Sequence, residues 1–143
     1  MRFSKNVSAG YLANHMARLF ATGLHKRIQP LGLAPAQFMV LLELWAQDRL
    51  TQRDLVQRVD VEQATMANTL RRMERDGLVE RRPCKGDKRA RIVCLTDRAR
   101  SLQGPATQAA LAQNTAALAG LSAQEQNQLN DLMARVIATM RRL

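Results

Sequence analysis

Apolar residues at Leu12, Met16, Leu19, Phe20, Leu24 and Ile28 recur in steps of three and four, the spacing of one stripe on an α-helix. The pattern predicts a long helix from about Ser8 to Gln29, ended by Pro30 and Gly32. At roughly 1.5 Å per residue it would be about 30 Å long. That is long for a chain of 143 residues, so part of the stripe is expected to meet another chain. A second helix opens at Leu33 to Phe38, with Pro35 at the first helical position, where a missing N–H costs nothing. Ala34 before it is a poor cap, a loss of about 1 kcal/mol against Ser or Thr. Phe38, Met39, Leu41, Leu42 and Trp45 make this helix nearly all apolar and the expected centre of the core, with Trp45 a packing residue.

Arg49-Leu50 reads as a short extended link, and Thr51-Gln52-Arg53-Asp54 as a capping box with Asp in place of Glu or Gln. The helix it opens carries Leu55, Val56 and Val59 on one side and Arg53, Gln57 and Arg58 on the other. Asp60-Val61-Glu62 is a tight connection to a second amphipathic run, with Val61, Met66, Leu70 and Met73 facing inward and Gly77 as the left-handed stop. Two helices joined in this way form a helix-turn-helix. Leu78 to Arg82 and Arg91 to Leu95 alternate, predicting a two-stranded ribbon whose loop of about eight residues is marked by Pro83 and Gly86. Thr96 caps a helix toward Leu118 that Gly104-Pro105 should bend or break. Ser122-Ala123-Gln124-Glu125 is a capping box for a last helix with the stripe Leu129, Leu132, Met133, Val136 and Met140. These two Ala- and Leu-rich helices, with the first, are expected to form a dimer interface.

Composition adds a mainly helical class: 46% apolar residues but only 3% aromatic, so the core must rest on Leu, Val, Ala and Met. Charge adds a partner. The net charge is +10, and Arg81 to Arg91 alone holds six basic residues against Asp87. Such a local excess suits a polyanion, most simply nucleic acid, although a solubilising loop has the same composition. The outer face of the second amphipathic helix, Gln63, Ala64, Ala67, Asn68 and Arg71, is small at its start, polar, and nearly free of acids after Glu62. Small residues for close approach, amides that pair with adenine and Arg that pairs with guanine or phosphate are what a major-groove helix needs, and an ordinary solvated face also fits.

No apolar run has membrane-spanning length, and Met1-Arg2-Phe3-Ser4-Lys5-Asn6 has no hydrophobic signal core behind it, so the cytoplasm is the expected compartment. Cys84 and Cys94 make no disulfide framework. His15 and His25 lack clustered Cys or carboxylate partners, so no metal site is expected. There is no glycine-rich phosphate loop and no Ser–His–Asp spacing; neither enzyme chemistry nor a cofactor is expected. Cys84, between Arg82 and Lys85 in the basic run, is a candidate thiolate whose oxidation would disturb nucleic-acid binding. An incidental thiol is the plainer reading, and Cys94 reads as packing.

Taken in order, the elements resemble those of the MarR family of bacterial transcriptional regulators. The resemblance is carried by Leu33 to Phe38, Leu50 to Leu55, Glu62 to Met73, Glu74-Arg75-Asp76-Gly77-Leu78-Val79, and Asp87-Lys88-Arg89-Ala90 leading into Leu95-Thr96. It implies one domain over 1–143: a winged helix-turn-helix at 33–96, mainly α with a small β-hairpin wing, between dimerisation helices at 1–30 and 97–143. It further implies a homodimeric repressor on a pseudo-palindromic operator in double-stranded DNA, released by a small aromatic or phenolic ligand. Arg89 would be the wing arginine entering the minor groove, oriented by Asp87, with Arg82, Lys85 and Lys88 adding charge around it. Gln63, Ala64, Thr65, Ala67 and Asn68 would lie near bases; Arg53, Arg71 and Arg72 would be nearer phosphates. Tyr11, His15, Arg18 and Trp45 are candidates to line the ligand site, with helix packing the plainer role for each. Two other readings stay open: a cysteine-based redox regulator, and a winged-helix protein-interaction module that leaves DNA alone. The retained basic wing counts against the second.

Overall fold

The computed structural model describes the backbone of residues 2–84 and 87–143 and the side chains of residues 2–83 and 91–143. A short 3-10 turn, Lys5–Val7, precedes α1, Ala9–Ile28, whose cap Ser8 accepts the Tyr11 N–H at 3.3 Å. A second 3-10 turn, Gln29–Leu31, leads to α2, Pro35–Ala46. Ala34 offers α2 no side-chain cap. The Gln37 carboxamide oxygen compensates in part by accepting the Ala34 N–H at 3.1 Å. Phe38, Val40, Leu41 and Leu44 are buried, but Met39 and Leu42 lie at the surface, so α2 is central on one face only.

Then come β1, Leu50–Thr51, α3, Gln52–Val59, and α4, Gln63–Arg75. The predicted capping box forms: Thr51 Oγ1 accepts the Asp54 N–H and Asp54 Oδ2 accepts the Thr51 N–H, both at 3.0 Å. Hydrogen bonding to the carboxylate from the Thr51 backbone N–H, then from the Thr51 side chain, holds the Asp54 carboxyl below the usual carboxylate range. Asp60 turns the chain in the left-handed region (φ 59°), which Asp tolerates better than most residues. Met66, Leu70 and Met73 of α4 are buried against the core, while Val61, before the helix, is only half-buried. The helix ends as expected. Gly77 has φ 71°, its N–H reaches the Glu74 carbonyl, and the Leu78 N–H closes back on the Met73 carbonyl at 2.9 Å.

The ribbon departs from its expected form in two ways. Its strands are longer, with β2 at Val79–Cys84 and β3 at Asp87–Leu95, so Pro83 lies inside a strand opposite Arg91 instead of marking a loop. Because β2 is an edge strand, an interior Pro need not break the ladder, and the register shifts between Pro83 and Cys84. The sheet also has three strands, in the order β1-β3-β2, because the Leu50-Thr51 link pairs with Val93 and Ile92. Asp48 fixes that edge, its carboxylate accepting the N–H of Leu95 at 2.9 Å and of Arg49 at 2.8 Å.

The helix after the sheet breaks at Leu102, a little before the expected Gly104-Pro105, giving α5, Asp97–Ser101, and α6, Gln103–Ala117. Pro105 then sits in the first turn of α6, where its missing donor has no partner to lose. At Gly23 of α1 a Cβ would meet only the end of the Gln113 side chain of α6. The last helix, α7, Ala123–Met140, has its predicted capping box, with the Ser122 N–H donating to Glu125 at 2.9 Å. None of its residues is buried. Among the described residues no helix is long and apolar enough to cross a membrane.

Candidate nucleic-acid interface

The burial of Met66, Leu70 and Met73 turns the opposite face of α4 outward. Gln63, Ala64, Thr65, Asn68, Arg71 and Arg72 are exposed there and Ala67 is half-buried. Arg71 donates to the Asn68 carboxamide oxygen one turn back, which points the Asn68 amide nitrogen away from it. Arg53 is exposed at the start of α3.

The two arginines at the end of this face lie on different flanks. Arg72 and Arg75 border a cleft of about 500 Å³ with Gly32, Ala34, Gln37 and Asp76, against the start of α2. Buried Gln37 ties that corner together, its amide donating to Asp76 at 2.9 Å. Donors from Arg75, then Gln37, keep the Asp76 carboxyl below the usual carboxylate range. Arg71 borders the other cleft, of about 510 Å³, with Gln52, Ala67, Glu74, Arg81 and Arg91, between α4 and the sheet.

The strand register explains why Arg81 and Arg91 reach that second cleft. Val79 pairs with Leu95, Arg81 with Val93 and Pro83 with Arg91. Paired residues share a sheet face, as do residues two apart on a strand. Arg81 and Arg91 therefore lie on the same face as the buried Val79, Val93 and Leu95, the face turned toward the helices. Moving from the core toward the tip, that face changes from apolar to basic. Glu80 and Arg82 point the other way, paired with each other at 3.1 Å, and the Glu80 carboxylate raises the Arg82 pKa. Sequence reading put Arg81 and Arg91 in the basic run but named neither as a site residue. Their phase with Val79, Val93 and Leu95 was the available signal.

The side chains of Lys85, Asp87, Lys88 and Arg89 lie outside the described residues, as does that of Cys84. Cys94 is buried, as its packing role requires. Of the four candidate ligand residues, Tyr11, His15 and Arg18 are exposed on α1. The Tyr11 and His15 rings meet edge to face at 6.0 Å. Trp45 packs instead inside the fold, edge to face on Phe38 at 6.0 Å, with its indole N–H donating to the Ala99 carbonyl at 3.1 Å. Neither cleft takes in any of the four.

A helix-turn-helix of α3 and α4 flanked by a three-stranded sheet makes this a winged-helix protein. Residues 33–90 match the family model described as MarR family. A solved transcriptional regulator, PA3341, is 32% identical with a TM-score of 0.79, covering 95% of this chain and 100% of that one. At 25% identity the chain is similar to reduced AbfR bound to DNA (TM-score 0.77, covering 92% and 89%). It is also similar, at 25% identity, to the PcaV transcriptional regulator from Streptomyces coelicolor in complex with its natural ligand (TM-score 0.82, covering 96% and 97%). An uncharacterized HTH-type transcriptional regulator, YwoH of Bacillus subtilis, is 36% identical over 86 residues, which span 60% of this chain and 62% of that protein. The chain belongs to the MarR family and is a transcriptional regulator, not an enzyme.

Proposed function

We propose that this regulator acts as a homodimer that binds a pseudo-palindromic operator in double-stranded DNA and represses until a small aromatic or phenolic acid releases it. The observation that carries the DNA half is the outer face of α4. Gln63, Ala64, Thr65 and Asn68 stand exposed over a helix whose other face is fully committed to the core. An exposed run of small and amide side chains on a rigid helix is suited to base edges in the major groove. Arg53, Arg71 and Arg72 at its borders are suited to phosphates. The wing residues Arg82, Lys85, Asp87, Lys88 and Arg89 complete the reading, with Arg89 in the minor groove. AbfR, a similar protein, was solved on DNA.

The dimer reading rests on the apolar surface this chain leaves open. Leu12 and Leu19 on α1 and Leu132, Val136, Ile137 and Met140 on α7 are all exposed, large apolar side chains of the kind a partner surface covers. Two recognition helices related by a two-fold axis would read half-sites about one helical turn apart. The ligand reading rests on two observations: PcaV, a similar protein, was solved with its natural ligand, and Tyr11, His15 and Arg18 form an exposed aromatic and cationic group on α1. Trp45 would act through packing at its edge.

Retention of duplex DNA on a filter at low salt tests the reading. The protein should hold random duplex weakly and lose it steeply as salt rises. Arg89→Ala should weaken binding strongly while the dimer stays intact in sedimentation. A protein that retains no duplex at low salt would instead be an interaction module.

A further inference from the structure

Three arginines converge on the cleft between α4 and the sheet, and one acid faces them. Arg71 comes from α4, Arg81 from β2 and Arg91 from β3, while Glu74 comes from α4 one turn beyond Arg71. Arg81 Nε lies 2.5 Å from Glu74 Oε1. The Arg81 side chain is about a quarter exposed (28%) and its Nε makes no directed hydrogen bond. Arg71 and Arg91 are exposed. The local balance is two positive charges in excess at a concave surface, with arginines from three separate elements lining one space.

We propose that this cleft is a seat for one DNA backbone phosphate, held by Arg71, Arg81 and Arg91, with Glu74 as the internal counter-ion that keeps Arg81 in place when no phosphate is there. The inference rests on the DNA-binding reading above. Guanidinium groups match phosphate oxygens in paired hydrogen bonds. The place is right for a backbone rather than a base: the cleft flanks the outer face of α4, and a duplex whose major groove takes that face brings a sugar-phosphate strand along its side. The ion pair serves a free protein. It balances the charge of a partly buried guanidinium, and it keeps Arg81 from spreading into solvent. Sequence preference would stay with the α4 face; the seat would set position and affinity.

The test is fluorescence anisotropy of the full chain on two duplexes of equal length, one taken from genomic fragments the protein selects and one unrelated, across a salt series. Arg91→Gln should weaken binding about tenfold on both duplexes alike and lower the slope of log affinity against log salt by about 0.9, the value for one phosphate. Arg91→Lys should restore most of that slope. Glu74→Gln should tighten both duplexes severalfold. Arg2→Gln, which removes the same charge at the exposed start of the chain, should leave both unchanged. Wild-type affinity and slope in Arg91→Gln, a loss confined to the selected duplex, an equal loss in Arg2→Gln, or no tightening in Glu74→Gln each overturns the seat while leaving the DNA reading in place. A wild-type chain that binds neither duplex at low salt overturns both.

Discussion

Helices α4 and α7 are built alike and end up differently. Both are amphipathic and both run more than three turns. α4 buries Met66, Leu70 and Met73 within its own chain. α7, with Leu132, Val136, Ile137 and Met140 at the surface, buries nothing. An apolar stripe that is already satisfied frees the opposite face for another task, here the polar outer face of α4. An unsatisfied stripe asks for a partner, and on α7 a second copy of the chain is the proposed one.

The largest effect should come from supplying the wrong chemistry to the open stripe. Leu132→Glu with Val136→Glu should cost dimerisation about 3–6 kcal/mol, the burial of four half-exposed aliphatic side chains, two from each protomer. Sedimentation should show a folded monomer, and operator affinity should fall with it. A dimer of unchanged strength would remove α7 from the interface.

Next in size is the satisfied stripe. Leu70→Ala, at a site with no exposure, should lower unfolding stability by about 2–5 kcal/mol, read by urea denaturation. It should do so whether or not the chain is dimeric, which separates it from the α7 variants.

Smaller still is the cap of α3. Thr51→Ala removes the oxygen that accepts the Asp54 N–H and should cost about 1 kcal/mol. The paired carboxylate adds a pH dependence of known sign. Asp54 has its pKa lowered by donors from Thr51, so its contribution is complete above the ordinary carboxylate pKa and fades as pH falls through the lower folded value. Asp54→Asn should therefore be less stable than wild type at neutral pH, with the gap closing in acid below about pH 4. A gap that stays constant down to pH 2 would contradict the assignment.

Much of α1, α3, α4 and α7 was legible in the chain because each has a period, a cap or a stop. Thr51 with Asp54, Ser122 with Glu125, and Gly77 are local signals with a single physical meaning. The sheet was harder. Leu50-Thr51 is too short to show any period, so its pairing with β3 is visible only in three dimensions. Pro83 reads as a loop residue unless its strand is known to be an edge. For Arg81 and Arg91 the charge and the in-strand phase with Val79 and Val93 were there to read, but their meeting at one cleft depends on register, and register is a tertiary fact. Trp45, read both as a packing residue and as a candidate ligand residue, packs on Phe38, whereas the openness of Met39 and Leu42 on the same helix was not foreseen from a run of apolar letters.

The central claim is that the α4 face reads DNA sequence. Sequencing the genomic fragments that the purified protein selects tests it most directly, with Gln63→Ala/Asn68→Ala run beside wild type. Wild type should enrich a pseudo-palindrome with half-sites about one helical turn apart, and the double variant should lose or change that motif while weak, salt-sensitive binding persists. No enrichment by wild type, or the same motif from both proteins, would contradict it.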